Sequence, residues 1–106
     1  MNVQFKKGVL ELCALVVLCR REYYGYELVE EISRNIDISE GTIYPLLRRL
    51  TKEAYFTTYL KESEVGPPRK YYQVTEKGAQ YKSALLDEWN KFVAQVNSLI
   101  AEEVAQ

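Results

Sequence analysis

The sequence predicts a mainly α-helical fold with one small β-hairpin, because two kinds of pattern alternate along it. Apolar residues recur at helical spacing in three segments before residue 53 and in a long segment after residue 75. Residues 56–60 and 70–74 are instead rich in aromatic and β-branched side chains, which is typical of strands. Gly66, Pro67 and Pro68 mark a turn between them. Three helices, a hairpin and a long helix predict a winged helix-turn-helix followed by a C-terminal helix.

Composition limits the chemistry of the chain. It has 106 residues, which suits one small domain, and 47% of them are apolar, which is ordinary for a globular protein. It has no histidine, which excludes His-based catalytic triads and histidine metal sites. Cys13 and Cys19 lie six positions apart on an apolar helix, so they neither bridge nor match a zinc pattern. We therefore expect no enzyme, no metal site and no cofactor.

The sequence also predicts where the protein resides. No apolar run approaches the roughly 20 residues that a transmembrane helix needs. The first residues lack the charged, apolar and small-residue pattern of a secretory signal. Two cysteines that stay reduced fit a reducing compartment. We expect a cytoplasmic protein with no membrane partner.

The first predicted helix, over residues 5–21, is apolar nearly all round. From Val9 to Cys19, only Glu11 breaks the apolar run. Such a helix must be covered on several sides, whereas a surface helix would show a stripe. Because so small a chain has little with which to cover it, we expect a second subunit to supply part of the cover.

The next two helices predict helix-turn-helix geometry. A polar connection over residues 20–24 leads to a second helix that begins at Gly25 and ends near Asn35. Ser39 is the expected N-cap of the third helix, because its hydroxyl can accept a hydrogen bond from a free backbone N–H group. We expect this helix to begin at residue 40, which places Pro45 in its second turn. Two short helices joined by a few residues are typical of DNA-binding domains.

The third helix has a polar and basic face that suits base edges and phosphates. Off its apolar stripe lie Thr42, Tyr44, Arg48, Arg49 and Lys52. The start of the second helix offers free N–H groups to a phosphate, and the Tyr26 hydroxyl could donate beside them. The alternatives are an ordinary amphipathic helix with solvated charges and a tyrosine that packs in the core.

Basic residues are concentrated in the middle of the chain, although the net charge is −1. Residues 39–78 hold seven basic and five acidic residues, whereas residues 79–106 hold two and four. Arg69 and Lys70 follow the predicted turn, where they would contact phosphates or reach a minor groove. The alternative is that they are solvated charges of a turn. The uneven charge favours double-stranded DNA as the partner of the middle segment.

The last helix, which begins at Thr75, carries an apolar seam that requires a partner. Its length of roughly 45 Å exceeds what the small domain can cover. We expect a two-fold homodimer in which this helix packs on the partner's first and last helices. Residues 1–74 would then form the DNA-binding domain, with the first helix also in the dimer interface, and residues 75–106 the dimerisation helix. The expected interface residues are Leu85, Trp89, Phe92, Val93, Val96 and Leu99.

Four motifs resemble the PadR family of bacterial transcriptional regulators. They are YGYEL at 24–28, GTIYPLLRRL at 41–50, PRKYY at 68–72 and TEKG at 75–78. The resemblance covers nearly the whole chain and implies a winged helix with a single C-terminal dimerisation helix, which represses transcription from operator DNA. One departure is Ala54, where the family commonly has glycine after the third helix. We expect strain at that turn.

The resemblance also implies which residues contact DNA. It places at the operator the residues Ser39, Thr42, Tyr44, Arg48, Arg49, Arg69 and Lys70, with close approach of the backbone at Gly41. The dimer would read an imperfect palindrome whose half-sites lie about one helical turn, roughly 34 Å, apart.

Trp89 and its mate in the dimer are candidates for an effector site. With Phe92 and Val93 nearby, two facing indoles would sandwich a small planar apolar molecule. The alternative is that Trp89 fills the dimer core, as large aromatics at interfaces usually do. Two other functions stay open: a winged-helix module for protein–protein contact, whose hairpin adds to a partner's sheet, and a small-molecule sensor with a secondary DNA role.

Overall fold

The computed structural model describes the backbone of residues 3–105 and the side chains of residues 9–103. The outer ends of the two predicted domains, residues 1 and 106, lie outside the described residues. The elements are α1 (Val3–Arg20), β1 (Tyr23–Tyr24), α2 (Gly25–Asn35), α3 (Glu40–Lys52), β2 (Phe56–Lys61), β3 (Arg69–Val74) and α4 (Glu76–Ala105). This order confirms the predicted winged helix-turn-helix with a long C-terminal helix. No helix within the described backbone has both the length and the apolar character needed to cross a bilayer.

The core forms where α1 meets the other helices and the sheet. α1 packs against α2, α3, α4 and β3, so the apolar helix is covered from several directions by its own chain. Large side chains with almost no exposed surface are Leu10, Leu15, Leu28, Ile43, Leu47, Leu50 and Phe56. The stripe of α3 is therefore buried, which leaves the rest of that helix facing outward.

The sheet has one strand more than the sequence predicts. Its order is β1-β3-β2, with both pairings antiparallel. The predicted polar connection over residues 20–24 is wrong for Tyr23 and Tyr24, which pair with Tyr72 and Tyr71. A two-residue strand is too short to show a period of two, but Tyr23 is buried as a strand residue on the inner face would be. This strand joins the start of α2 directly to the hairpin.

The start of α3 agrees with the prediction, but its cap does not. Ser39 occupies the N-cap position, yet its hydroxyl makes no hydrogen bond to the helix backbone. Its Oγ instead lies 3.3 Å from Thr42 Oγ1, while its carbonyl oxygen accepts from the Thr42 N–H at 3.0 Å. Pro45 lies inside the helix, as expected from the early start.

The junction between α3 and β2 is strained at one residue and tightly packed at another. Ala54 has a φ of 68°, which confirms the expected strain, since this left-handed conformation costs a non-glycine residue roughly 1–2 kcal/mol. A Cβ on Gly78 would collide with the Tyr55 carbonyl oxygen and lie 2.8 Å from Val74 Cγ2. The Thr75 hydroxyl donates toward the Ala54 and Tyr55 carbonyls at 2.7 and 3.0 Å. The start of α4 is thus fixed to this junction.

We expect Ala54→Gly to raise the free energy of unfolding by about 0.5–1 kcal/mol, because glycine adopts this φ without steric cost while losing somewhat more entropy on folding. Urea denaturation at a fixed protein concentration measures it. Ala84→Gly is the matched control: in the exposed middle of α4 it should lower stability by about 1 kcal/mol. Equal destabilisation by both changes would contradict the strain at Ala54.

Candidate nucleic-acid interface

Tyr44 connects α3 to the start of α2 and to β3. A Cβ on Gly25 would lie 3.5 Å from Tyr44 Cε1 and 3.6 Å from Tyr72 Cε1, so the two rings meet over this glycine. Burial, and then the negative charge of Glu40, raise the pKa of Tyr44 above its ordinary value. The phenol therefore stays protonated near neutral pH, and Tyr44 can donate its hydroxyl proton to an acceptor such as a phosphate oxygen.

Arg48 and Arg49 are neighbours in sequence but have different surroundings. Arg48 is exposed and forms no ion pair with any described side chain, and it lies one helical turn after Tyr44, whose ring meets that of Tyr72 on the sheet. Arg49 donates to Glu11 on α1, with Nη2 and Oε1 3.0 Å apart, and its Nη1 lies 3.4 Å from Glu53 Oε2. The structure therefore groups Arg48 with the sheet side of α3 and holds Arg49 against α1.

The remaining predicted residues of the helix-turn-helix lie together at the starts of α2 and α3. A groove of about 460 Å³ separates the two starts and is lined by Tyr26, Ser39 and Glu40 among others. Tyr26 is 62% exposed. A Cβ on Gly41 would meet only Ser39 Oγ, at 3.8 Å, so the backbone there is open to an approaching ligand. Thr42 lies at the edge of α3 that faces α1, near Arg49 and apart from Arg48.

The wing residues Arg69 and Lys70 lie on opposite faces of β3, because side chains alternate along a strand. The Arg69 guanidinium carbon lies 4.5 Å from the centre of the Tyr24 ring on the outer face. Lys61 is directly opposite Arg69 in the strand pairing, which places two cations side by side. Lys70 shares its face with Tyr72, and its Nζ lies 5.8 Å from that ring. Lys70 is therefore the wing cation on the same side of the sheet as Arg48.

A row of four tyrosines fixes the wing to the start of α2, and sequence reasoning missed its role. The tyrosine row consists of Tyr26, Tyr24, Tyr71 and Tyr59 in spatial order. Ring centres are 6.4 Å apart for the first pair, 5.7 Å for the second and 5.6 Å for the third. Arg69 and Lys61 lie against these rings, a contact that adds cation–π attraction. The row forms because β1 pairs with β3. Its trace in the sequence is the pair of consecutive tyrosines in each of these two strands.

Trp89 lies between two apolar grooves that run along α1. A groove of about 420 Å³ includes Trp89, Cys13 and Arg20, and a second of about 190 Å³ includes Trp89, Leu85 and Phe92. Burial raises the pKa of the Cys13 thiol above its ordinary value, so the thiol stays protonated. Two of the predicted interface residues, Leu85 and Trp89, thus pack on α1 of their own chain.

The second half of α4 carries an apolar stripe that no described side chain of the rest of the chain covers. Phe92 is 52% exposed and Leu99 is 67% exposed, with Val96 between them at 37%. Val93 is half-buried. Monomeric proteins rarely expose apolar patches of this kind, which commonly mark contact surfaces.

Comparison with known proteins agrees with this geometry. The model of the PadR-like family of transcriptional regulators matches residues 14–84. The crystal structure of a PadR-like transcriptional regulator from Bacillus cereus strain ATCC 14579 has a TM-score of 0.83 at 41% identity, covering 92% of this chain and 96% of that one. An uncharacterized protein from Lysinibacillus sphaericus is 34% identical over 89% of this chain and 86% of its own length. The transcriptional regulator YqjI of Escherichia coli (strain K12) is 37% identical over 73% of this chain, which spans only 37% of YqjI.

Proposed function

Because the chain belongs to the PadR-like family of transcriptional regulators, we propose that it binds an operator as a homodimer and represses transcription there. A member of this family is a DNA-binding regulator and not an enzyme. The observation that carries the proposal is the exposed cation Arg48, which pairs with no described side chain and lies on the same side of the sheet as the wing cation Lys70. Its partner is chromosomal DNA, so we place the protein in the cytoplasm.

The proposed contacts divide into base reading and phosphate binding. Residues at the start of α3 would approach base edges in the major groove, and Arg48 would donate two hydrogen bonds to a guanine. Wing cations would contact phosphates, which position a protein without selecting a sequence. The set proposed to contact DNA is Tyr26, Ser39, Gly41, Thr42, Tyr44, Arg48, Arg69 and Lys70. The tyrosine row supports this division, because it holds Arg69 at a constant place relative to α2.

We expect Arg48→Ala to lower the affinity for an operator by about 5- to 100-fold and the affinity for scrambled DNA much less. Arg69→Ala should lower both affinities alike and reduce the salt slope by about one, because one phosphate contact is lost. Fluorescence anisotropy with the DNA upstream of the protein's own gene, against a scrambled duplex at two salt concentrations, measures both effects.

Lys91→Ala is the matched control for both variants, since it removes one exposed positive charge from α4, away from α3 and the wing. It should leave the two affinities nearly unchanged. Equal losses in all three variants would contradict the assigned contacts. Indifference of every variant, with retained binding to a protein partner, would favour the protein–protein module instead.

The proposal of a dimer rests on two apolar surfaces of one molecule that stay exposed, one on α1 and one on α4. Among the described side chains, none covers the open side of the groove along α1, and none packs on the apolar stripe in the second half of α4. A two-fold axis would place the α4 of each subunit against the other's α1 and α4, which covers both at once. In this arrangement residues 1–74 form the DNA-binding part, helped by α1 in the interface, and residues 75–106 the dimerisation helix. Two such parts would read a palindrome.

We expect Phe92→Glu to convert the dimer to a monomer, because it buries a carboxylate in an apolar interface. Light scattering after gel filtration measures the mass, and operator affinity should fall at least tenfold because the two half-sites are no longer bound together. Ser98→Glu introduces the same charge on the side of α4 opposite the apolar stripe and should leave the dimer intact. A wild-type monomer in solution would refute the dimer.

The groove beside Trp89 is also the proposed site for a small planar apolar effector. Its volume of about 420 Å³ is in the range of small-molecule sites, and its lining is mostly apolar. A ligand there would stack on Trp89 and would quench the fluorescence of the single tryptophan. Phe92 lines the neighbouring groove on the other side of Trp89, and Val93 lies on the next turn of α4. By separating or rotating the two subunits, the ligand would change the spacing of the two recognition helices and so release the operator.

A further inference from the structure

One carboxylate joins the DNA-facing helix to both helices of the proposed dimer interface. Glu11 is the single charged residue between Val9 and Cys19, and its side chain is only 17% exposed. Its Oε1 accepts from Arg49 Nη2 on α3 at 3.0 Å and from the Tyr81 hydroxyl on α4 at 3.2 Å. Three helices therefore meet at one oxygen atom.

The contacts continue from Tyr81 to the junction that follows α3. The Tyr81 ring stacks on Tyr55 with a centre-to-centre distance of 4.3 Å and an angle of 14°. The Lys77 ammonium nitrogen lies 4.7 Å from the centre of the Tyr55 ring. It also donates a hydrogen bond to the Glu53 carbonyl oxygen at 2.8 Å. Arg49 pairs with Glu11 and Glu53, and α4 contacts both of these residues, through Tyr81 and Lys77.

This arrangement acts together with the buried stripe of Ile43, Leu47 and Leu50 to fix the rotation of α3 about its own axis. Successive residues of an α-helix point about 100° apart, so the direction of Arg49 determines that of Arg48. The hydrogen bond with Glu11 raises the pKa of Arg49 and keeps the guanidinium charged and directed at α1. With Arg49 held there, Arg48 faces outward on the side of the sheet.

We propose that Glu11, supported by Tyr81, is a positioning residue for sequence reading. It holds Arg49 against α1, is itself held by Tyr81 of α4, and thereby fixes, with the buried stripe, the rotation of α3 at which Arg48 meets base edges. Arg49 then acts on specificity through Glu11 and not by touching DNA. The inference rests on the proposed function, and it also gives the dimer helices a direct route to the recognition helix, since Leu12 beside Glu11 lines both grooves at Trp89.

Glu11→Gln separates this role from simple electrostatics. The change keeps the size of the side chain and removes one negative charge, which by itself strengthens binding to any DNA. The positioning role predicts the opposite for specificity: the ratio of operator to scrambled-DNA affinity falls about tenfold, while scrambled-DNA affinity stays equal or rises. An unchanged ratio would overturn the proposal, even if Glu11→Gln bound both DNAs more tightly than the wild type.

Glu31→Gln is the matched control. Glu31 is also mostly buried, with 21% of its side chain exposed, and it pairs with Arg34 at 3.0 Å and Arg20 at 3.7 Å. Its loss removes the same charge and the same kind of ion pair from the α2 wall of the groove at Trp89 without touching α3, and light scattering establishes that this variant is still a dimer. We expect the affinity ratio of this variant to equal that of the wild type. A tenfold loss here as well would overturn the proposal, because the ratio would then fall without any change at Arg49.

A double-mutant cycle tests whether Glu11 and Arg49 act as one unit. Arg49→Gln alone should lower the ratio as much as Glu11→Gln does, and the double variant should lose no more than either. Additive losses would show that Arg49 reads DNA independently and would overturn the proposal. Tyr81→Phe deletes only the hydroxyl and should lower the ratio in the same direction by about two- to threefold.

Circular dichroism and light scattering establish that each variant is a folded dimer before its affinities are compared. If Glu11→Gln fails this check, Tyr81→Phe decides: a wild-type ratio there overturns the proposal. The two levels of inference fail separately. A wild-type protein that binds operator and scrambled DNA equally refutes the proposed function, whereas a selective wild type with an equally selective Glu11→Gln refutes only the positioning role.

Discussion

The structure depends on the covering of α1, a helix that is apolar on nearly every side. Ala14 and Leu15 have no exposed surface, and burial of a leucine side chain contributes about 1.5–3 kcal/mol. α2, α3, the sheet and α4 are all arranged around this helix. Its own chain still leaves an open groove at Cys13 and Trp89. That incomplete cover is the physical reason for the proposed dimer, in which α4 of the partner closes what one chain cannot.

The sequence correctly predicted the helices whose buried residues recur at a regular helical spacing. The stripe of Ile43, Leu47 and Leu50 predicts α3 because a helix of that length repeats its apolar face several times. β1 could not be predicted in this way, since two residues show no period, and its existence depends on pairing with β3, almost 50 residues later. The tyrosine row depends on the same pairing. Ser39 was correctly predicted to occupy the N-cap position of α3, but the predicted hydrogen bond of its hydroxyl to the helix backbone is absent. The hydroxyl lies beside that of Thr42 instead.

The sequence predicted which residues belong to the candidate site, but it did not show that neighbouring residues such as Arg48 and Arg49 have different roles. Arg48 and Arg49 are equivalent in a sequence that shows only two adjacent basic residues. The structure distinguishes them because Glu11 on α1 accepts a hydrogen bond from Arg49, whereas Arg48 pairs with no side chain in the described part of the chain. A lone carboxylate in an apolar helix was visible in the sequence, but its partner could be identified only once α1 and α3 were packed together. In our proposal, the same contact links the helices of the proposed interface to DNA reading.

The most direct test is selection of bound sequences from a random double-stranded DNA library, using the purified wild-type protein and sequencing of the retained molecules. The proposed dimeric reader of DNA should enrich one inverted repeat, with the centres of its half-sites about one helical turn, roughly 34 Å, apart. A library that stays random after repeated rounds would contradict sequence-specific DNA binding. Enrichment of a single unrepeated site would contradict the two-fold arrangement of the recognition helices.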